Sequence, residues 1–426
     1  MRILLLLLCI IELLLVTWLQ NFAGPLVSPL LFLASSFGIG FVYLRMSNAP
    51  QFPVVPQRMH PVLIFALQLL PFIVLSYLVF KTNKTIWWWH ATIDKGVDKS
   101  DIIPQITTLV KRFQGYEQPY YPIPYPGYQL FPTYLPLQWM PYILTEWLHK
   151  DYRWIPVAGL WLSSLYFFIK TRDASGPLAL RVLLPVWPLI AWYAIVMQDN
   201  DMFKLTVEAL IAGYYLFVAA SIRGRIVWPL AVGIAVCLLS RYSIIFWVPL
   251  CLGCYYLAGE RKKALIIAGT TVAMFIIFYW LPFLRKDPML FFKGYQYHTA
   301  AAYGEWLNDL QNLKGKFYLY NGLGFTAWAL KLLPGDLKQV LSIYQKVHIM
   351  LCITTVAGLF YYYRKNRAMV NTNTFLLFAL KIYLAVFYAF IQIPYKYLYI
   401  VPVIISSALL ISILTPRTAI DRIANR

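Results

Sequence analysis

Met1–Gln20 reads MRILLLLLCIIELLLVTWLQ, an arginine and then an apolar run broken by a single acid, Glu12. Runs of this kind recur at Val27–Leu44, Leu63–Phe80 and Val401–Leu414. A helix of about 18 such residues is long enough to cross a hydrocarbon core of about 30 Å. The whole chain follows the same bias: of 426 residues, 60% are hydrophobic and 13% charged. Soluble domains are nearer half apolar and a quarter charged. The fold class expected is therefore an all-α integral membrane protein, a polytopic helical bundle. A secretory signal is the alternative reading of the first run, but it lacks a small-residue cleavage site and contains Glu12. It reads better as a retained helix.

Working outward gives a topology. Spans are expected near 3–20, 27–45, 61–80, 154–170, 178–197, 203–221, 226–240, 242–258, 265–283, 341–363, 373–391 and 396–414, about twelve in all with both ends inside. Residues 81–152 and 284–340 are then two long external segments, and 1–60 holds two helices ahead of them. Arg45, Arg58, Lys170, Arg172, Arg181, Arg223, Arg225, Arg261, Lys262, Lys263, Arg364, Lys365 and Arg367 all fall in short loops on one side. A surplus of basic residues in short loops marks the cytoplasmic side. Gln129–Leu148 is apolar enough to span, but counting it would reverse every later loop. With Pro132, Pro136, Pro141 and Glu146, it is expected as a helix lying on or dipping into the outer face. The chain 1–426 reads as a single membrane domain.

The five cysteines (Cys9, Cys237, Cys251, Cys254 and Cys352) all lie in apolar runs, so they read as packing groups and imply no disulfide framework. The formal net charge of +20 points, for a membrane chain, to lipid headgroups and phosphates and not to nucleic acid.

The first external segment carries the most chemistry. Asp94, Asp98 and Asp101 precede an amphipathic helix in which Ile102, Ile103, Ile106, Leu109, Val110 and Phe113 recur at helical spacing, with Gly115 ending it. Tyr116, Tyr120, Tyr121, Tyr125, Tyr128 and Tyr134 follow among prolines, a surface suited to stacking on sugars or to an aromatic belt, the latter also the reading for Trp87–Trp89. A carboxylate beside such a surface can take a proton from a sugar hydroxyl, although a solvated loop charge is the simpler reading of each aspartate.

The order Asp101-Ile102, amphipathic helix, Gly115, Pro119-Tyr120 and Phe131-Pro132-Thr133-Tyr134-Leu135-Pro136-Leu137 resembles the first external loop of GT-C glycosyltransferases, closest to the bacterial mannosyltransferase-like branch (DUF2029-type). The chain departs from that pattern in a spacing one residue longer and in a split double proline, and its first two helices look like an addition before the family's first span. The resemblance implies a GT-C-like bundle, Asp101 as catalytic base with Asp94 and Asp98 as fallbacks, and a polyprenyl-phosphate-linked sugar as donor. It also implies a glycan, lipid or protein acceptor, and a site facing outside a bacterial inner membrane.

Further candidates for substrate binding follow along the chain. Asp199 and Asp201 form an acidic turn that could hold a divalent cation, although a turn needs polar residues in any case. Arg241 sits at a depth where a cation must be paired, snorkel or meet phosphate. Arg285 opens the second long segment with Lys286 and Lys293, and His298 follows. Tyr120, Tyr395 and Lys396 complete the set, and Glu208 is an acid inside an apolar run. No cofactor is fixed by these residues, and a divalent cation at the acidic turn is the one candidate. The competing functional readings are a flippase for lipid-linked saccharides and a surface polysaccharide polymerase or ligase.

Overall fold

The computed structural model describes residues 1–47, 59–82, 102–125, 128–173, 176–198, 207–311, 322–411 and 414. Asp94, Asp98, Asp101, Asp199 and Asp201, like Trp87–Trp89, lie outside the described residues. The elements are α1 (Arg2–Leu14, continued by a π-helical turn Leu15–Leu19), α2 (Gln20–Ser47), α3 (Pro61–Thr82), α4 (Ile102–Gln114), β1 (Ile123–Tyr125), β2 (Tyr128–Leu130), α5 (Pro136–Trp139) and α6 (Ile143–Trp147). They continue with α7 (Trp154–Thr171), α8 (Leu178–Leu183), α9 (Trp187–Gln198), α10 (Glu208–Ser221), α11 (Trp228–Leu238), α12 (Trp247–Leu257) and α13 (Arg261–Phe275, continued by a π-helical stretch Ile276–Leu284). The last are α14 (Leu290–Gln311), α15 (Thr326–Leu332), α16 (Leu337–Asn366), α17 (Thr372–Ala389) and α18 (Ile400–Ile411). β1 and β2 form a small antiparallel hairpin, with Ile123 opposite Leu130.

Six helical stretches among the described residues are long and apolar enough to cross a membrane: Arg2–Ser47, Val62–Lys81, Leu178–Gln198, Arg261–Leu284, Leu337–Asn366 and Thr372–Ala389. The first bends at Gly24, whose φ of 71° breaks the helix. Shorter apolar helices lie between them. The protein is thus a membrane-embedded, multi-pass helical bundle, with the small hairpin as the one sheet among the described residues.

The helices sort by which faces are apolar. α10, α17 and α18 are apolar nearly all round and sit in the core, with almost every side chain buried. Arg261–Leu284 is also apolar all round but is the least buried of the long stretches, so its surface meets lipid. α7 and α10 cross closely: a Cβ on Gly213 would lie 2.8 Å from the Gly159 carbonyl oxygen. Small residues of this kind let backbones approach where lipid offers no hydrophobic drive for association.

The loops gather at two ends. At one end Arg223 donates to the Tyr43 hydroxyl at 2.6 Å, and Gln68 donates to the carbonyls of Arg172 and Arg181, each at 2.9 Å. Tyr255 donates there to Asn373 at 3.0 Å. These are the short basic loops. At the other end Lys396 reaches the Thr17 carbonyl at 3.3 Å and Trp328 the Leu26 carbonyl at 2.8 Å.

Glu12 is the surprise of the first helix. It is fully buried and pairs with Lys381 of α17, also fully buried. Ser36 and Ser406 both donate to its carboxylate at 2.5 Å, and Lys381 donates to the Pro402 carbonyl at 2.9 Å. The first two helices are therefore packed into the core against α17 and α18.

Gln129–Leu148 does not form one continuous helix. Prolines remove amide donors and break it into α5, a 3-10 turn at Met140–Tyr142 and α6. None of these pieces can cross about 30 Å. Trp139 and Tyr142 are fully buried, so the segment dips into the bundle as short pieces. α4 forms where the periodicity places it and buries Ile106, Leu109 and Val110. Its end differs in one detail: the left-handed residue is Tyr116 (φ 59°), not Gly115.

Removing one partner of a buried ion pair strands the other, at about 3–5 kcal/mol, whereas replacing both with apolar groups is close to neutral. Glu12→Leu is expected to lower the thermal unfolding midpoint of the detergent-solubilised protein sharply, and Glu12→Leu with Lys381→Met to recover most of that loss. A double variant as unstable as the sum of the two single variants would contradict the pairing.

Candidate functional site

Glu208 opens α10, in a first turn whose free amides favour a carboxylate. Arg241 follows the end of α11 in an extended conformation (φ −156°, ψ 140°) before the 3-10 turn Tyr242–Ile244. The extended residue turns the side chain back toward α10. Its guanidinium grips Glu208 with both terminal nitrogens, Nη1 donating to Oε2 at 2.7 Å and Nη2 to Oε1. A two-pronged contact of this kind fixes orientation as well as charge.

The pair is closed on one side and open on the other. The Glu208 side chain is 2% exposed, whereas that of Arg241 is 19% exposed. Two donors of a five-donor guanidinium go to the carboxylate and another bond goes to the Tyr388 hydroxyl, so at the exposed edge an incoming group meets N–H and not carboxylate oxygen. Tyrosines surround it. Tyr388, near the end of α17, lies beside both members of the pair and donates to Ser243 at 3.3 Å. Ser243 in turn bonds to the Tyr215 hydroxyl at 2.7 Å. Tyr397 lies within electrostatic range of Glu208, Arg241 and Tyr134, and Tyr142 within range of Glu208 and Tyr134.

His298 on α14 joins the group. Its ring has an open face, yet protein closes in from most sides. That crowding first, and the Arg241 charge second, hold its pKa below the ordinary histidine value. It is therefore neutral at pH 7 and has one nitrogen able to accept a proton.

The remaining expected residues fall elsewhere or act differently. Tyr120 is buried, donates to the Tyr134 carbonyl at 3.0 Å and accepts from Trp139 Nε1 at 3.1 Å, so its hydroxyl is occupied in holding the Tyr134 loop. Tyr395 stacks on Tyr397 with centroids 5.2 Å apart, a support for the inner ring. Lys396 turns toward α1 through the Thr17 carbonyl. Arg285 is exposed just after the π-helical stretch, and among the described residues it forms no ion pair with Glu208. Among the described residues no group of three or more His, Cys, Asp or Glu is arranged to hold a metal ion.

Two segments frame the site. Leu137 donates its amide to the Leu239 carbonyl at 2.9 Å, and the Tyr214 hydroxyl donates to the Leu137 carbonyl at 3.2 Å, fixing the broken segment beside Arg241. On the far side Trp306 donates to the Gln392 carbonyl at 2.8 Å, and Gly322 packs on the last turn. A Cβ on Gly322 would fall 2.0 Å from the Pro394 carbonyl oxygen. Only glycine allows that approach.

No protein-family model, curated protein or solved structure matches the chain.

Arg241→Met is expected to destabilise the fold on the order of 3 kcal/mol, because Glu208 is left buried and unpaired. Adding Glu208→Gln should return much of it, measured by thermal unfolding of the two variants side by side. A Gly322→Ala variant should also be destabilised, with the loss read as earlier proteolysis of the 322–332 segment.

Proposed function

We propose that this protein is a membrane glycosyltransferase of GT-C type, with about twelve spans. In this reading it moves a hexose such as mannose from a polyprenyl-phosphate donor to a glycan, lipid or protein acceptor at the outer face of a bacterial inner membrane. The observation that supports it best is the half-open Glu208–Arg241 pair, with tyrosines and a neutral histidine gathered round it at the end of the bundle away from the short basic loops. A guanidinium held rigidly with free N–H groups suits an oxygen that gains charge as a bond breaks. Aromatic faces suit the sugar ring.

The step balances simply. The acceptor hydroxyl oxygen attacks the anomeric carbon, and the bond from that carbon to the phosphate oxygen breaks, inverting the centre. The hydroxyl proton passes to a carboxylate, for which the resemblance nominates Asp101, directly before α4 in the chain. The bonding pair leaves with polyprenyl phosphate, toward which Arg241 turns its free donors. Glu208 is the positioning residue for Arg241. A divalent cation on Asp199 and Asp201 would serve the same phosphate.

The test is incubation of membranes holding the full chain with defined polyprenyl-phosphate sugars. Wild type should form a new glycosidic bond, Asp101→Asn should abolish it, and Arg241→Lys should slow it about tenfold or more, since an ammonium cannot keep the two-pronged geometry. Display of lipid-linked sugar across the membrane without a new bond would replace this reading with a flippase.

A further inference from the structure

A second concave surface lies away from the Glu208–Arg241 pair, a groove of about 700 Å³. Its floor is the last turn of the least buried of the long apolar stretches, Leu281 to Phe283, and its opposite wall is Trp147 of α6. Trp147 is 71% exposed, and Leu281 continues an exposed apolar strip through Trp280 and Ile277. The floor of the groove is thus continuous with a surface that faces bilayer.

The rim is of another kind. It carries Tyr116, Glu117 and Lys286. Glu117 and Lys286 are exposed, and neither forms an ion pair with the other or with any charge among the described residues. The rim is also pre-formed. Arg112 donates to the carbonyls of Pro119 at 3.1 Å, Tyr121 at 2.7 Å and Pro122 at 3.1 Å, locking the turn after α4. In that turn Tyr116 takes the left-handed conformation beside a glycine that could have taken it without strain, and its ring is 97% exposed. Strain kept to hold an aromatic ring outward has the mark of a contact surface.

We propose that this groove binds a zwitterionic phospholipid with a primary amine, a phosphatidylethanolamine headgroup. The phosphate sits on the Lys286 ammonium, the lipid amine donates to the Glu117 carboxylate, and an acyl chain follows Leu281 and Phe283 into the bilayer. Trp147 and Tyr116 flank the headgroup at the depth where amphipathic rings settle. One unpaired charge of each sign over an apolar floor matches a headgroup that carries both charges over a hydrocarbon tail. A soluble saccharide has no use for the lysine charge or for the bilayer-continuous floor.

The full-length protein, purified in mild detergent and washed to remove bulk lipid, is exposed to vesicles of phosphatidylethanolamine or phosphatidylcholine with identical chains, and retained lipid is counted by native mass spectrometry. Wild type should retain the ethanolamine lipid several-fold over the choline lipid, because a quaternary ammonium has no N–H to give Glu117. Glu117→Gln should erase that preference, and Lys286→Gln should lower retention of both lipids. Both side chains are exposed, so the variants should elute as wild type on size exclusion. If those charge variants were lost to misfolding, Trp147→Phe, which keeps the wall, should leave the preference intact and Trp147→Ser should weaken it. Equal retention of the two lipids by wild type, unchanged retention in both charge variants, or displacement of the lipid by a soluble oligosaccharide would overturn the assignment.

Discussion

Glu12 and Lys381 are 369 positions apart and have no contact with solvent. Each alone would be a costly charge in the middle of an apolar helix. Together, with Ser36, Ser406 and the Pro402 carbonyl completing their hydrogen bonds, they form a neutral and satisfied group. Buried pairs of this kind add little net stability against an apolar replacement, but they penalise every arrangement in which the partners are apart. The pair therefore fixes how the first two helices sit against α17 and α18. That packing brings Thr17 and Leu26 to the last turn, where Lys396 and Trp328 meet them.

The same chemistry appears a second time with a different outcome. Glu208 and Arg241 also pair in an apolar setting, but here the guanidinium keeps an open edge. The difference lies in position. The first pair is midway along its helices, closed on every side by α1, α2, α17 and α18. The second is at helix ends, where α10 begins and α11 stops, so chain breaks leave room beside it. Tyr388 and Tyr397 flank that room from the end of α17 and the turn before α18. A sealed pair sets the architecture, and an open pair at the end of the bundle offers donors to a ligand.

Much of the bundle was legible in the sequence because run length alone identifies a helix that must satisfy its own backbone in lipid. α4 was legible from its apolar period, since Ile106, Leu109 and Val110 face inward as the spacing requires. The pairings were not. Glu208 and Arg241 each stood out as charges in apolar runs, but nothing local says that two such residues meet, and Lys381 lies within an apolar run without any neighbouring acid. Tyr120 shows the opposite failure. An aromatic residue in a tyrosine-rich loop reads as a surface for sugar, while its burial and both of its hydrogen bonds depend on Trp139 and Tyr134, which only the fold brings near. Gln129–Leu148 read as one helix in spite of its prolines, because where they divide it depends on the packing of Trp139 and Tyr142 into the bundle.

The most direct measurement of the central claim, that the open pair marks where a lipid-linked sugar is held, is photo-crosslinking. A polyprenyl-phosphate sugar with a photoreactive group on the sugar is irradiated with the full chain in vesicles, and the labelled peptides are sequenced. The predicted result is labelling within 131–142, 291–298 and 388–397, suppressed by unlabelled donor. Labelling confined to the short basic loops around Arg223, Arg261 and Arg364, or labelling that unlabelled donor leaves unchanged, would contradict it.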